Sequence, residues 1–267
     1  MRSIRRSLRA VFLTTLCSAA GVNAESAEIV ITYIGATNTA AYLGVQQGLA
    51  EANVQGEFLG TQYRLIAVSS LPAEDDIGIA IISAVSEPAL RELADKFRDV
   101  PMLNVALNAA TLREQCSENL FHIGPSDTML ADANQQWQQK MPGSTARAQT
   151  WHKSFRKYAA GQLNSRFSKR FSRPMNDDAW AGWAAMKLLA DTVVRRPSMT
   201  SRELLIELQT NLAFDGQKGS DLSFRETGQL RQPLLLVDEG KIVGEAPVRG
   251  VAVPPNLDSL GSLFCAK

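Results

Sequence analysis

The chain is poor in the residues that most often carry catalysis or hold metal ions. It has 2 histidines and 3 cysteines in 267 residues, and no glycine-rich phosphate loop, G-x-S-x-G elbow, H-E-x-x-H helix or C-x-x-C pair. His122 lies between two apolar residues, which favours a core or loop histidine, and His152 is expected at the surface. The sequence therefore nominates no catalytic residue, no metal site and no cofactor, and it disfavours an enzyme.

An excess of one charge and a long apolar run are missing as well. Lys and Arg total 28 and Asp and Glu total 27, so no extended basic surface for nucleic acid is expected. Beyond the N-terminus, no apolar run approaches the roughly 18 residues of a transmembrane helix. Hydrophobic residues still make up 45% of the chain, which excludes a disordered protein and predicts a sizeable core.

The first 24 residues have the pattern of an export signal. Arginines precede the apolar stretch 10–22, and small residues end at Ala24, where a signal peptidase requires them. We expect cleavage after Ala24 and a periplasmic location. The mature chain then carries 24 basic and 27 acidic residues, a net charge of −3. Two alternatives stay open, a retained N-terminal helix and export by the twin-arginine route, for which Arg5 and Arg6 are present but Ile4 replaces the expected hydroxyl residue.

Cleavage of this signal leaves two cysteines, Cys116 and Cys265. An even number in an oxidising compartment predicts a disulfide, which would fasten an irregular C-terminal tail. For a span of 149 residues, chain-entropy arguments give at most about 5 kcal/mol of stabilisation. The alternative is two buried thiols that never meet.

The first half of the mature chain alternates strands and helices. Strands are predicted at 28–34, 62–69, 77–83 and 101–107, because each is rich in β-branched or other apolar residues. Helices are predicted at 40–52 and from Ser86 to about Phe97. This rhythm predicts an α/β fold in which a largely parallel sheet is flanked by helices.

The second half has a different pattern. Helices are predicted from Ser126 or Asp127 to about Lys140, over the basic segment 154–170, and over 177–195 with Asn176 as its cap. Thr200 and Glu203 form a capping box for a further helix, and 141–150 is predicted as a polar connection. Turn signals around 222–224, 233–237 and 241–243 predict a small β-meander. Trp180 and Trp183 have helical spacing and are expected in the core.

Several stretches, in their order along the chain, resemble the leucine/isoleucine/valine-type, or type I, periplasmic binding proteins. The segment 119–127 looks like that family's crossover between lobes, and 222–236 looks like its closing hairpin. Together with 162–167, the latter is most similar to the subgroup associated with pyrroloquinoline-quinone-dependent alcohol dehydrogenase systems. The other matching segments are 33–36, 44–53, 178–189 and 214–219.

The resemblance implies a Rossmann-like parallel-sheet lobe of a type I periplasmic binding protein and a reduced second lobe. Family members have two complete α/β lobes, but only about a dozen residues separate Gln139 from Trp151 here. The expected division is a signal peptide at 1–24, lobe 1 at 25–120, a reduced lobe 2 and crossover region at 121–175, helices packing on lobe 1 at 176–211, and a C-terminal β-meander and tail at 212–267.

In the family, ligands are held by hydroxyls and backbone N–H groups at the carboxyl ends of lobe-1 strands, which carries over by position to Ser83, Ser86, Asn108 and Thr111. For Ser86, a plain helix cap is the alternative.

The implied function is capture of a small organic solute for an ABC permease, linked to quinoprotein alcohol oxidation. A second class is a non-transporting accessory protein that docks a periplasmic quinoprotein dehydrogenase. An enzyme is the third class.

Overall fold

The computed structural model describes residues 27–70, 72–73 and 77–265. The expected signal peptide and its cleavage site after Ala24 lie outside these residues. The strands are β1 Ala27–Gly35, β2 Thr61–Val68, β3 Ala80–Ala84, β4 Met102–Asn104, β5 Leu120–His122, β6 Arg147–Gln149, β7 Ser223–Phe224, β8 Leu230–Arg231, β9 Leu234–Asp238 and β10 Lys241–Ala246. The helices are α1 Ala40–Leu59, α2 Glu87–Lys96, α3 Ala110–Glu114, α4 Asp127–Lys140, α5 Ala160–Phe171, α6 Asp177–Val193 and α7 Ser201–Thr210. In the described part of the chain, no helix combines the length and apolarity needed to cross a membrane.

A five-stranded sheet forms the centre of the molecule, and all its neighbouring strands are parallel. Its order is β2-β1-β3-β4-β5. The order reverses beside β1, and in open α/β sheets ligands bind outside the carboxyl ends of strands at such a reversal. The predicted α/β class with a largely parallel sheet is confirmed.

Helices cover both faces of this sheet. Helices α1, α5 and α6 bury one face in a core that includes Trp180 and Trp183, as predicted, and α2 and α3 pack on the other. Glycines bring α1 and α6 into backbone contact. A Cβ on Gly44 would lie 1.9 Å from the Ala179 carbonyl oxygen, and one on Gly182 would lie 2.0 Å from that of Ala41. These glycines weaken each helix locally but allow the close approach.

A second, antiparallel sheet has the order β10-β9-β6 and packs on α4 around a separate small core. Of its strands, only β6 comes from the segment 121–175 predicted as the reduced second lobe, whereas β9 and β10 come from the segment predicted as the C-terminal β-meander. The expectation of a polar connection over 141–150 is wrong for Arg147–Gln149, which pairs with β9 as strand β6. Pairing with a distant strand overrides its weak local signal. The proposed domain boundaries stay predictions.

Two further elements differ from the sequence expectations. Strand β5 lies inside the segment expected as crossover and extends the large sheet beside β4. Helix α5 begins at Ala160 rather than Ser154, because Tyr158 and Ala159 adopt left-handed backbone conformations with φ of 52° and 66°. The caps at Ser126 and Asn176 and the Thr200 capping box are confirmed.

The tail is fixed covalently and by hydrogen bonds. Cys116 and Cys265 form the predicted disulfide, with their Cα atoms 5.8 Å apart. Asp132 of α4 accepts a hydrogen bond from the Gly261 N–H, and Arg225 donates to the Leu257 carbonyl oxygen at 2.7 Å. The tail therefore connects the large sheet, the small core and the β7–β8 hairpin.

Replacing Gly44 by Ala tests the contact between α1 and α6. We expect Gly44→Ala to lower the free energy of unfolding by about 3 kcal/mol or more, because a methyl group cannot fit against the α6 backbone. Gly143 is a matched control, since it has a φ of 86° but open space around it. Gly143→Ala is expected to cost about 1–2 kcal/mol from backbone conformation alone. Urea unfolding measures both, and equal losses would contradict the packing argument.

Candidate functional site

The carboxyl ends of three neighbouring strands place polar residues in one row. Ser83 of β3 pairs in register with Asn104 of β4, which pairs with His122 of β5. The three side chains are almost fully buried, at 1% exposure each. The row lies at the edge of the sheet where ligands bind in this class of fold.

Ser83 is the unsatisfied member of this row. Its hydroxyl oxygen is buried and has no hydrogen-bond partner in the described part of the protein. A buried polar group without a hydrogen-bond partner lowers the free energy of unfolding by about 1–3 kcal/mol. Such a group is a candidate for contact with a ligand.

Asn104, in contrast, is hydrogen-bonded through both atoms of its amide, and one of its partners is Nδ1 of His122. The Asn104 Nδ2 donates to the Leu107 carbonyl oxygen at 2.8 Å and faces His122 Nδ1 at 3.0 Å. The Asn104 Oδ1 accepts from the Leu107 N–H at 2.9 Å. Burial, together with the positive charge of Arg113, holds the pKa of His122 well below its usual range. His122 is therefore a neutral core histidine that accepts through Nδ1, as its sequence context indicates.

Arg113 and Gln229 fill the space beside this row. The Arg113 guanidinium is 2% exposed and donates to the Gln229 Oε1 at 2.9 Å and to the carbonyl oxygens of Leu107 and Ala109 at 2.9 and 3.0 Å. Burial lowers its pKa to about 10, against the attraction of Asp127, so it stays charged at neutral pH. The sequence analysis missed both residues, and their partners lie up to 116 positions apart.

The other three predicted ligand residues are exposed above this buried layer. Ser86 occupies the N-cap position of α2, but its side chain makes no capping hydrogen bond. Thr111 donates through Oγ1 to the Glu87 carboxylate at 3.4 Å, and Glu87 is the first residue of α2. Asn108 lies near the start of α4, where its carbonyl oxygen accepts from the Asp127 N–H at 2.9 Å. The roles of Ser83, Ser86, Asn108 and Thr111 in ligand binding stay predictions.

Several cavities lie on other parts of the surface. Five cavities have volumes of about 370 to 550 Å³, and Ser83, Ser86, Asn104, Asn108, Thr111 and His122 line none of them. Among the described residues, no three His, Cys, Asp or Glu side chains come together in a way that could hold a metal ion. The four predicted ligand residues Ser83, Ser86, Asn108 and Thr111 form what we call the strand-end site, which offers hydroxyls, an amide and the start of α2.

The fold has many counterparts among solved structures. An ABC transporter substrate-binding protein from Desulfitobacterium hafniense superposes with a TM-score of 0.68 at 12% identity, covering 80% of this chain and 99% of that chain. A branched-chain amino acid ABC transporter periplasmic ligand-binding protein from Burkholderia xenovorans gives 0.65 at 10% identity, covering 81% and 95%. A branched-chain amino acid transporter substrate-binding protein from Streptococcus pneumoniae, in complex with isoleucine, gives 0.61 at 10% identity, covering 82% and 98%.

No family model and no curated protein matches the sequence. At 10 to 12% identity, the structural likeness shows the fold and not the ligand. The fold itself, with a central parallel sheet and helices on both of its faces, matches that of the type I periplasmic binding proteins. The predicted fold class is thereby confirmed.

The buried, neutral His122 predicts a pH dependence of stability. At a pH below the ordinary histidine pKa of 6.5, His122 binds a proton in the unfolded chain but not in the folded one. The free energy of unfolding therefore falls as the pH drops. We expect His122→Gln to show a smaller loss than the wild type between about pH 7 and about pH 5. Urea midpoints at both pH values measure this. The partly exposed His152→Gln is the comparison, and it should change the pH dependence less, because the pKa of His152 is lowered by burial to a smaller extent. An unchanged pH dependence in His122→Gln would contradict the assignment.

Proposed function

We propose that this protein binds a small organic solute, reversibly and without covalent chemistry, at the carboxyl ends of β3 and β4. The observation that carries the proposal is the buried, unpartnered hydroxyl of Ser83 beside the start of α2. By analogy with the structural neighbours, the solute is passed to an ABC permease of the inner membrane, and the protein works in the periplasm.

The site favours a solute with a carboxylate. The first turn of α2 receives no side-chain cap from Ser86, and Pro88 has no N–H to donate. The N–H groups of Glu87 and Ala89 and the positive end of the helix dipole are therefore what this turn offers to an anion. The Ser83 hydroxyl offers a further hydrogen bond. Glu87 at the same helix start pairs with Arg91, which reduces its repulsion of an anion. The isoleucine complex of the Streptococcus pneumoniae protein supports an amino acid or a similar organic acid.

The expected affinity is low. In a two-lobed receptor, closure of the second lobe buries the ligand and adds polar contacts. Here the second wall is a three-stranded sheet, and the Arg113–Gln229 pair fills space beside the site. A loss of about 3 kcal/mol of contacts weakens binding roughly a hundredfold. We expect dissociation constants above about 10 µM for branched-chain amino acids.

A second candidate is an accessory protein that docks a periplasmic quinoprotein dehydrogenase. The paired Arg113–Gln229 network favours it, because that network is complete without any ligand. The link to quinoprotein alcohol oxidation rests on the sequence resemblance of 162–167 and 222–236. This candidate would be favoured if the mature protein co-elutes with such a dehydrogenase and binds no small solute.

Thermal-shift titration with leucine, isoleucine and valine tests solute binding. We expect a stabilisation of at most about 1.4 kcal/mol at about 100 µM and a clearly larger one at about 10 mM, as mass action requires when the dissociation constant exceeds about 10 µM. Ser83→Ala should abolish the ligand-induced shift without lowering the stability of the free protein, because the Ser83 hydroxyl makes no hydrogen bond that the substitution could remove. Ser198→Ala, an exposed serine elsewhere, should behave as the wild type.

Two outcomes of the titration would contradict the proposal. A stabilisation well above about 1.4 kcal/mol at about 100 µM would show a tight receptor and overturn the argument from the reduced second wall. No shift at any concentration, for these or other small organic acids, would remove solute binding altogether.

A further inference from the structure

A strongly basic segment stands out from this otherwise mildly acidic chain. Residues 151–176 contain seven Lys and Arg residues and no Asp or Glu. Two of the seven are neutralised, since Lys157 pairs with Glu245 at 2.6 Å and Arg166 with Glu51 at 2.7 Å. Within the residues that the structure describes, the other five have no ion-pair partner: Lys153, Arg156, Lys169, Arg170 and Arg173.

Three of these unpaired cations surround one cavity of about 500 Å³. The loop before α5 contributes Lys153 and Arg156, and α5 contributes Lys169. Hydroxyl groups complete the polar lining, and none of the lining residues is acidic. The hydroxyls belong to Ser154, Ser165 and Ser168. We call this the α5 cavity.

The loop that carries Lys153 and Arg156 is fixed against α5. Asn164 is buried, and its Nδ2 donates to the carbonyl oxygens of His152 and Phe155 at 3.3 and 3.1 Å. Its Oδ1 accepts from the Trp151 indole N–H at 2.9 Å. Phe155 packs edge-on against Trp151, with ring centroids 5.5 Å apart. The backbone positions of the two cations are therefore set by buried contacts.

The helix presents a matching face. Ser165, Ser168 and Lys169 are spaced three and four residues apart, so they lie on one side of α5. Neither serine side chain makes a hydrogen bond to any other described residue, which leaves both hydroxyls available. Lys169 lies in the last turn of α5, where the helix dipole favours a cation. That effect does not account for Lys153 and Arg156, which precede the helix.

Three like charges around one cavity repel each other unless an anion joins them. We propose that the α5 cavity binds a small polyanion, either a di- or tricarboxylate or a phosphate ester, through Lys153, Arg156 and Lys169. The serine hydroxyls donate further hydrogen bonds to its oxygens, and the Arg156 guanidinium suits the paired oxygens of a carboxylate or phosphate. This site shares no residue with the strand-end site, so each can fail without the other.

Isothermal titration of the mature protein with citrate and with pyrophosphate tests this site. We expect Arg156→Gln and Lys169→Gln each to weaken binding about tenfold or more, because each removes a charge-assisted hydrogen bond. Arg173→Gln is the matched control, since Arg173 belongs to the same basic segment but does not line the cavity. Raising the salt from about 0.01 M to about 0.15 M should weaken binding by screening.

Three results would overturn the proposal. They are no binding of either anion, an equal loss in Arg173→Gln, and no loss in either cavity variant. A separate arm with phosphatidylglycerol vesicles distinguishes a free anion from a lipid headgroup. Binding to vesicles without binding to citrate or pyrophosphate would assign the cavity to a lipid headgroup and is a case of the first of these results. Both cavity variants change exposed side chains, so a failure of one to fold leaves the other as the test.

Discussion

One buried amine, that of Lys218, joins the five-stranded sheet to the three-stranded sheet. Lys218 is 5% exposed, and its Nζ donates to the carbonyl oxygens of Thr150 and Pro233 at 2.8 and 2.9 Å and to the Gln232 Oε1 at 2.9 Å. The same Nζ lies 4.3 Å from the centre of the Trp180 ring. Gln232 in turn donates to the Ile123 carbonyl oxygen at 2.6 Å.

These contacts fall on three chain segments that run between the large and the small sheet. Ile123 follows β5, Thr150 follows β6, and Gln232 and Pro233 precede β9. Burial lowers the pKa of Lys218 to about 7, against the attraction of Asp177 and Glu245. The cost of burying the amine is offset by the carbonyl oxygens it satisfies, which would otherwise be buried without partners. The connections are thus held together as one unit, and the strand ends keep a fixed position relative to the small sheet.

Local signals in the sequence predicted the parts of the fold that depend on local physics. The β-branched run of β1, the Thr200 capping box and the spacing of Trp180 and Trp183 each specify their structure from neighbouring residues alone. Strands β5 and β6 are three residues long, and their pairing depends on β4 and β9, so no local pattern indicates them. The same limit applies to the site. The position of Ser83 at the end of a strand was predictable, whereas Arg113 and Lys218 reach partners distant in sequence that only the folded chain brings together.

Hydrogen exchange tests most directly whether Lys218 unites the connections. The wild type should protect the amides of 147–151 and 232–237 to a similar, high degree, because both segments open only together. Lys218→Met should raise exchange in both segments at once, while Lys241→Met, at an exposed position of β10, should leave them unchanged. Rapid exchange in the wild type, or a rise confined to one segment in Lys218→Met, would contradict a single unit held by the buried amine.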